Sequence, residues 1–171
     1  MGPISLQITI DAPRERVFEH ICDLARRPGW TDHFLRDYRL ERVDAAGQGA
    51  AARFRADAPG GLDFLDTTIT TAQPPHKIDE HGRGGRFNRI GVRTVWELRG
   101  ATDSVTELAL TFWTEPPGPL QRLRELRSAP WWRRRWRKAL RRLRQELEAP
   151  EEIVEPLRLA GADRRPTTAR T

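Results

Sequence analysis

Hydrophobic and polar positions alternate along the first part of the chain. Between Ile4 and Ile10 every second residue is aliphatic and the intervening residues are polar, a two-residue period that predicts a strand with one buried face. The strand ends at Asp11-Ala12-Pro13, where we expect Asp11 to cap a helix and Pro13 to fit its first turn. Apolar residues then recur at helical spacing up to Leu24, and a second break at Pro28-Gly29 leads directly into Trp30.

The pattern after Trp30 predicts six more strands and a long helix. We place the strands at residues 36–44, 50–57, 62–72, 76–81, 90–98 and 106–112. The glycine-rich run 81–86 is predicted to be a hairpin loop, because it lacks the flanking helix and lysine of a phosphate-binding loop. Pro116-Pro117-Gly118-Pro119 ends the sheet, and a helix is expected from Leu120 to Glu148, with an interruption at Pro130.

The strand, the Asp-Ala-Pro helix start, Asp23-Leu24 and the Pro-Gly-Trp ending resemble the N-terminal signature of the START-like (SRPBCC) superfamily. Within it, the polyketide cyclase/dehydrase and lipid-transport group is the most similar. The resemblance implies an α+β helix-grip fold, in which a curved antiparallel sheet of about seven strands wraps around a long C-terminal helix. Two short helices lie between the first and second strands. We assign this domain to residues 1–148 and expect residues 149–171, which lack periodicity, to form a mobile tail.

The same resemblance implies a cavity between the concave face of the sheet and the last helix. Strand alternation and helical spacing select the residues that face this space, and most of them are apolar or aromatic, as a hydrophobic ligand requires. The predicted ligand-binding residues are Trp30, His33, Phe34, Phe54, Thr67, Ile69, Ile78, Glu80, Val92, Trp96, Leu110, Phe112, Trp136, Leu140 and Leu143. The alternative is that these side chains simply fill a core.

Groups for catalysis are scarce in this predicted lining. Glu80 shares the strand phase of Ile78, so we expect an inward carboxylate that serves as a base or a ligand anchor. His33 is expected at the entrance of the cavity. No catalytic constellation is visible, and the chemistry implied by the resemblance is at most that of a polyketide cyclase/dehydrase. Cys22 is the single cysteine, and no histidine has a partner at metal-binding spacing. We therefore predict no metal and no organic cofactor.

Charge is unevenly distributed. The chain has a net charge of +6, and the excess of positive charge lies in residues 119–148, which carry 11 basic and 3 acidic side chains. We expect a contiguous positive surface on the outer face of the last helix, centred on Arg134, Arg135, Lys138 and Arg142. The chain has no basic-then-apolar start, which favours a cytoplasmic location.

Two functions from different classes follow. The first is the binding of a hydrophobic small molecule, with its transport or cyclase-type conversion as the associated role. The alternative is an interaction protein whose basic, tryptophan-bearing helix contacts an anionic membrane, RNA or an acidic partner.

Overall fold

The structure, a computed structural model, describes residues 1–59 and 62–149; at positions 57, 62, 63, 86, 121, 124 and 125 it describes the backbone alone. These ranges contain seven strands, four α-helices and one 3₁₀ turn. In chain order they are β1 (Ile4–Ile10), α1 (Arg14–Cys22), α2 (Arg27–Thr31), β2 (Leu35–Leu40), β3 (Ala51–Ala58), β4 (Leu62–Gln73), β5 (Lys77–Gly84), the 3₁₀ turn (Arg86–Asn88), β6 (Ile90–Thr102), β7 (Val105–Glu115), α3 (Pro119–Leu126) and α4 (Ala129–Glu148). Except for Ala149, the predicted tail lies outside the described residues.

The seven strands form one curled antiparallel sheet in the order β1-β7-β6-β5-β4-β3-β2. Neighbouring strands from β2 to β7 are consecutive in the chain. β1 closes the other edge by pairing with β7, with Ile4 opposite Phe112. The two short helices α1 and α2 connect β1 to β2, and α4 lies against the concave face. The predicted α+β helix-grip architecture is confirmed.

The alternation in β6 and β7 produces the inner face of the sheet. In β6, residues at every second position from Ile90 to Leu98 are buried, whereas the residues between them are less buried. Because side chains on a strand point alternately to the two faces, this period directs Trp96 inward, and the same period in β7 directs Phe112 inward and Trp113 outward.

Strand β5 is longer than predicted, because it continues through part of the glycine-rich run. The strand extends to Gly84, which pairs with Ile90 of β6, so the loop predicted for residues 81–86 is wrong over its first part. A Cβ atom at Gly82 would collide with the backbone carbonyl oxygen of Asp66 on β4. Glycine at this position therefore permits the close approach of the two strands, while Gly85, with a φ of 72°, makes the turn.

Strand β2 is shorter than predicted and forms the free edge of the sheet. It ends at Leu40 rather than residue 44, and its pairing with β3 is irregular between Arg36 and Arg39. Asp37 lies within this irregularity and has a positive φ of 51°. β2 is therefore hydrogen-bonded on one side, through a disrupted ladder.

The C-terminal helical region is interrupted, as expected, but only its second part grips the sheet. The break lies just before Pro130, which occupies the first turn of α4, where its missing N–H is tolerated. The apolar stripe of α4, from Trp132 to Leu147, is buried as predicted. In α3, by contrast, Leu120 and Leu123 are 80% and 63% exposed.

The prediction that Asp11 caps the first helix is wrong. Helix α1 begins at Arg14, Pro13 occupies the N-cap, and no side chain makes a capping hydrogen bond. Asp11 precedes the cap by two residues, and its backbone N–H donates instead to Oε1 of Glu148 at 2.9 Å. This contact joins the end of β1 to the end of α4. No helix in the described ranges is both long enough and apolar enough to cross a bilayer.

Candidate functional site

The space between the sheet and α4 contains a cavity of about 20 Å³. Its walls come from α2, from strands β2 to β7 and from α4. The lining residues are Arg27, Leu35, Phe54, Leu65, Asp66, Thr67, Glu80, Val92, Thr94, Phe112, Trp132 and Trp136. This volume holds about one water molecule, far less than the roughly 300–1,000 Å³ of a small-molecule pocket. The aromatic side chains thus close the site in this structure.

A buried ion pair lies at the wall of the cavity. Arg27 of α2 and Glu80 of β5 are each 2% exposed. Nη1 of Arg27 donates to Oε2 of Glu80 at 2.7 Å, and Nη2 donates to Oε1 at 2.6 Å. Burial by itself would lower the pKa of Arg27, but the charge and the hydrogen bonds of Glu80 outweigh it and raise that pKa above its ordinary value. The pair connects α2 to the centre of the sheet.

Two further donors complete the coordination of Glu80. Nε1 of Trp96 donates to Oε1 at 2.6 Å, and the hydroxyl of Thr67 donates to Oε2 at 3.1 Å. A carboxylate has about four lone-pair positions, and Arg27, Trp96 and Thr67 together supply four donors. Glu80 is inward, as its phase predicts, but it has no free lone pair with which to take a proton from a substrate. Its role as a base is therefore not supported by this geometry.

An aromatic cluster covers the ion pair on the side of α4. It consists of Trp30, Phe34, Trp96, Phe112, Trp132 and Trp136. Trp136 is at its centre, with ring centroids 5.1 Å from Phe34, 5.8 Å from Trp96 and 5.7 Å from Phe112. These separations and the inclined ring planes are those of favourable aromatic contacts. Ring packing therefore holds the part of α4 from Trp132 to Trp136 against the sheet.

Several hydrogen-bond donors in this interior have no partner. No described residue accepts a hydrogen bond from Nε1 of Trp30, Trp132 or Trp136, or from Nε of Arg27. The hydroxyl of Tyr38 also has no hydrogen-bond partner among the described residues. All five atoms are buried. Burial raises the pKa of Tyr38 to about 12, with smaller opposing effects from nearby charges. Three of these donors belong to residues that line the cavity, namely Arg27, Trp132 and Trp136.

His33 links the segment after α2 to α4. Its Nε2 donates to the backbone carbonyl of Arg135 at 3.2 Å, which leaves Nδ1 to accept from Nη1 of Arg142 at 3.2 Å. Burial, together with the charges of Lys138, Arg142 and Arg135, lowers the pKa of His33, although the bond to the Arg135 carbonyl opposes this. His33 is thus a neutral bridge on the surface of the site, with both ring nitrogens in use.

The basic face of α4 is only partly free. Arg134 and Lys138 are exposed, as predicted. Arg142 instead forms an ion pair with Asp32, and the guanidinium of Arg135 lies 5.3 Å from the ring centroid of Trp131. Two of the four side chains chosen as the centre of a positive surface are therefore engaged within the molecule, because Asp32 and Trp131 lie within their reach.

The predicted ligand-binding residues fall into four groups. Six line the cavity: Phe54, Thr67, Glu80, Val92, Phe112 and Trp136. Trp30, Phe34 and Trp96 belong to the aromatic cluster around it, and His33 is at the surface. The other five are buried in the core without lining the cavity: Ile69, Ile78, Leu110, Leu140 and Leu143.

Sequence reasoning missed Arg27 and left Trp132 out of the site. Arg27 lies three residues after Leu24 and three before Trp30, so its helical phase with two buried residues is the signal that could have identified it as inward. Trp132 was assigned to the apolar stripe of the last helix, and its position opposite the cavity depends on the placement of α4. Of the described residues, no three His, Cys, Asp or Glu side chains are grouped to hold a metal ion.

Known structures with this architecture resemble the chain at low sequence identity. Protein CV1439 from Chromobacterium violaceum is 17% identical with a TM-score of 0.61, and 88% of this chain aligns with 100% of it. KanY is 18% identical with a TM-score of 0.66, over 87% of this chain and 100% of KanY. DynU16, a protein of the dynemicin biosynthetic locus, is 21% identical with a TM-score of 0.57; 87% of this chain aligns with 48% of DynU16. At these identities the similarity shows a common fold.

No curated protein sequence is significantly similar to this chain. The family model described as polyketide cyclase/dehydrase and lipid transport, however, matches residues 1–148. The match spans every described strand and helix, from β1 to the end of α4. The chain therefore belongs to the polyketide cyclase/dehydrase and lipid transport family.

Proposed function

We propose that this protein binds a hydrophobic small molecule between the concave face of the sheet and α4. The observation that carries the proposal is the composition of the cavity wall, in which aromatic and aliphatic side chains surround a few polar groups. This mixture is typical of small-molecule sites, where apolar contacts supply affinity and a small number of polar groups fix orientation. Membership of the family supports the same assignment.

The closed cavity requires that the site opens when a ligand enters. We infer that α4 moves away from the segment from α2 to β2, while Arg27 keeps α2 bound to Glu80 of the sheet. β2 is an edge strand with an irregular ladder, and near the surface this segment is joined to α4 by His33 and Asp32. Exposed polar contacts of this kind are individually weak, so they can break while the sheet stays intact.

The geometry does not favour a chemical role for Glu80, whose oxygens are fully occupied. A cyclase-type role would therefore depend on holding a flexible substrate in a reactive shape, which is a contribution of proximity and orientation. The binding proposal covers both transport and such a role, because both begin with the same occupied site.

Titration of the purified protein with fatty acids, isoprenoids and aromatic polyketides tests the proposal. At least one class is expected to raise the melting temperature and to change tryptophan fluorescence in a saturable way. Phe112→Leu, on the inner face of β7, should weaken binding several-fold, whereas Trp113→Leu on the outer face should leave the dissociation constant unchanged. If no class produces a saturable change in either signal, the binding proposal is wrong.

A further inference from the structure

Three buried donors without described partners belong to residues that line the cavity, and they indicate what the ligand carries. Nε1 of Trp132, Nε1 of Trp136 and Nε of Arg27 are buried, and no described residue accepts a hydrogen bond from any of them. A buried donor without an acceptor is strongly disfavoured, and most buried polar groups in proteins have partners. Three such groups on residues that line one cavity call for an acceptor, which is either a water molecule or an oxygen atom of the ligand.

The neighbouring groups exclude the opposite arrangement, in which the protein accepts and the ligand donates. Both oxygens of Glu80 are already occupied by donors from Arg27, Trp96 and Thr67. A ligand hydroxyl or amine that donated to Glu80 would have to displace one of them. What this wall of the cavity lacks is therefore hydrogen-bond acceptors.

The charge of the site favours a neutral acceptor over an anionic one. Arg27 is the buried cation at the cavity, and its charge is balanced by the bidentate pair with Glu80. A carboxylate placed beside Nε of Arg27 would lie close to the carboxylate of Glu80, and like charges in a buried site repel strongly. A carbonyl oxygen accepts from the same donors without that repulsion.

We propose that the ligand of this site is a neutral molecule with a carbonyl oxygen, whose two lone pairs accept hydrogen bonds from Trp132 and Trp136 beside Arg27. This inference rests on the proposed function and narrows it. The inference predicts that neutral carbonyl compounds bind more tightly than hydrocarbons, which have no acceptor, and than fatty acids, which are anionic. The indole rings also supply the apolar contact for the remainder of the molecule.

Three probes with one carbon skeleton test the inference by equilibrium dialysis: fluorene, 9-fluorenone and fluorene-9-carboxylate. Fluorenone is expected to bind at least tenfold more tightly than fluorene and than the carboxylate, since satisfying a buried donor changes affinity by roughly 5- to 150-fold. In Trp132→Phe and Trp136→Phe, which keep a ring and lose the N–H, the preference for fluorenone over fluorene should fall at least threefold. Trp113→Phe, outside the site, should retain it.

The wild-type comparison decides the inference even if a variant does not fold. Equal affinity for fluorene and fluorenone, as expected if a water molecule bridges the three donors, would overturn the acceptor inference and leave the binding proposal standing. Tighter binding of the carboxylate would overturn the neutral-ligand part. If none of the three probes binds while a fatty acid or isoprenoid does, the carbonyl assignment is wrong, whereas failure of every ligand refutes the proposed function itself.

Discussion

The buried pair of Arg27 and Glu80 allows a sharp test of how this interior is stabilised. Replacement of Arg27 by methionine keeps an unbranched apolar stem but removes the cation and two short hydrogen bonds. The carboxylate of Glu80 is then left 2% exposed, with only the donors of Trp96 and Thr67. We expect Arg27→Met to lower the free energy of unfolding by about 3–5 kcal/mol, because it leaves a buried charge uncompensated.

That loss is a large fraction of the stability of a domain of this size, which is about 5–15 kcal/mol. Glu80→Gln, which leaves Arg27 unbalanced, should have a similar effect. The double variant Arg27→Met/Glu80→Gln removes both charges and keeps an acceptor for Trp96. It should therefore be more stable than the sum of the two single losses predicts, by about 2 kcal/mol or more.

Urea denaturation followed by circular dichroism measures these differences. The matched control is Arg26→Met, one residue earlier, because the side chain of Arg26 is 61% exposed and pairs with Asp23 at the surface. Its expected effect is below about 1 kcal/mol. An effect of Arg27→Met no larger than that of the control, or strict additivity in the double variant, would refute the view that the pair is an electrostatically coupled unit.

Three further predictions concern single positions. Tyr38→Phe should leave the free energy of unfolding unchanged or raise it by up to about 1 kcal/mol, because it removes a buried hydroxyl that has no described partner. Chemical denaturation at pH 7 measures this difference. Gly82→Ala should destabilise the protein by about 1–3 kcal/mol through the clash with Asp66. Gly118→Ala should not, because a Cβ atom at that position has no neighbour within 4 Å. Similar losses of stability in the two variants would contradict the packing argument. Because the pKa of His33 is lowered in the folded protein, the unfolded chain binds the proton more readily, so this residue's contribution to stability should be lost as the pH falls below about 6.5. A pH series on wild type and His33→Gln checks this, since the variant should lose less stability on acidification.

The sequence by itself determined the architecture, because the relevant signals are local and repeated. Alternation from Ile4 to Ile10 and in the two strands after Ile90 reports which face is buried, since successive side chains in a strand point to opposite sides. Helical spacing in the last helix similarly identified Trp132 to Leu147 as the buried stripe. The same phase argument placed Glu80 inside. These periodicities located the elements and most of the inward-facing residues, and the resemblance to the START-like superfamily supplied the arrangement of the sheet around the last helix.

Only the tertiary structure decided what the inward residues do. Glu80 is an occupied anchor because Arg27, 53 residues earlier, reaches it across the interior, and no local pattern encodes that distance. Arg142, one of the residues of the predicted basic surface, is paired with Asp32, which follows α2 and lies beside it. The size of the cavity likewise depends on how rings from α2, the sheet and α4 pack together. Periodicity assigns a side chain to a face, whereas partners and volumes arise from long-range contacts between faces.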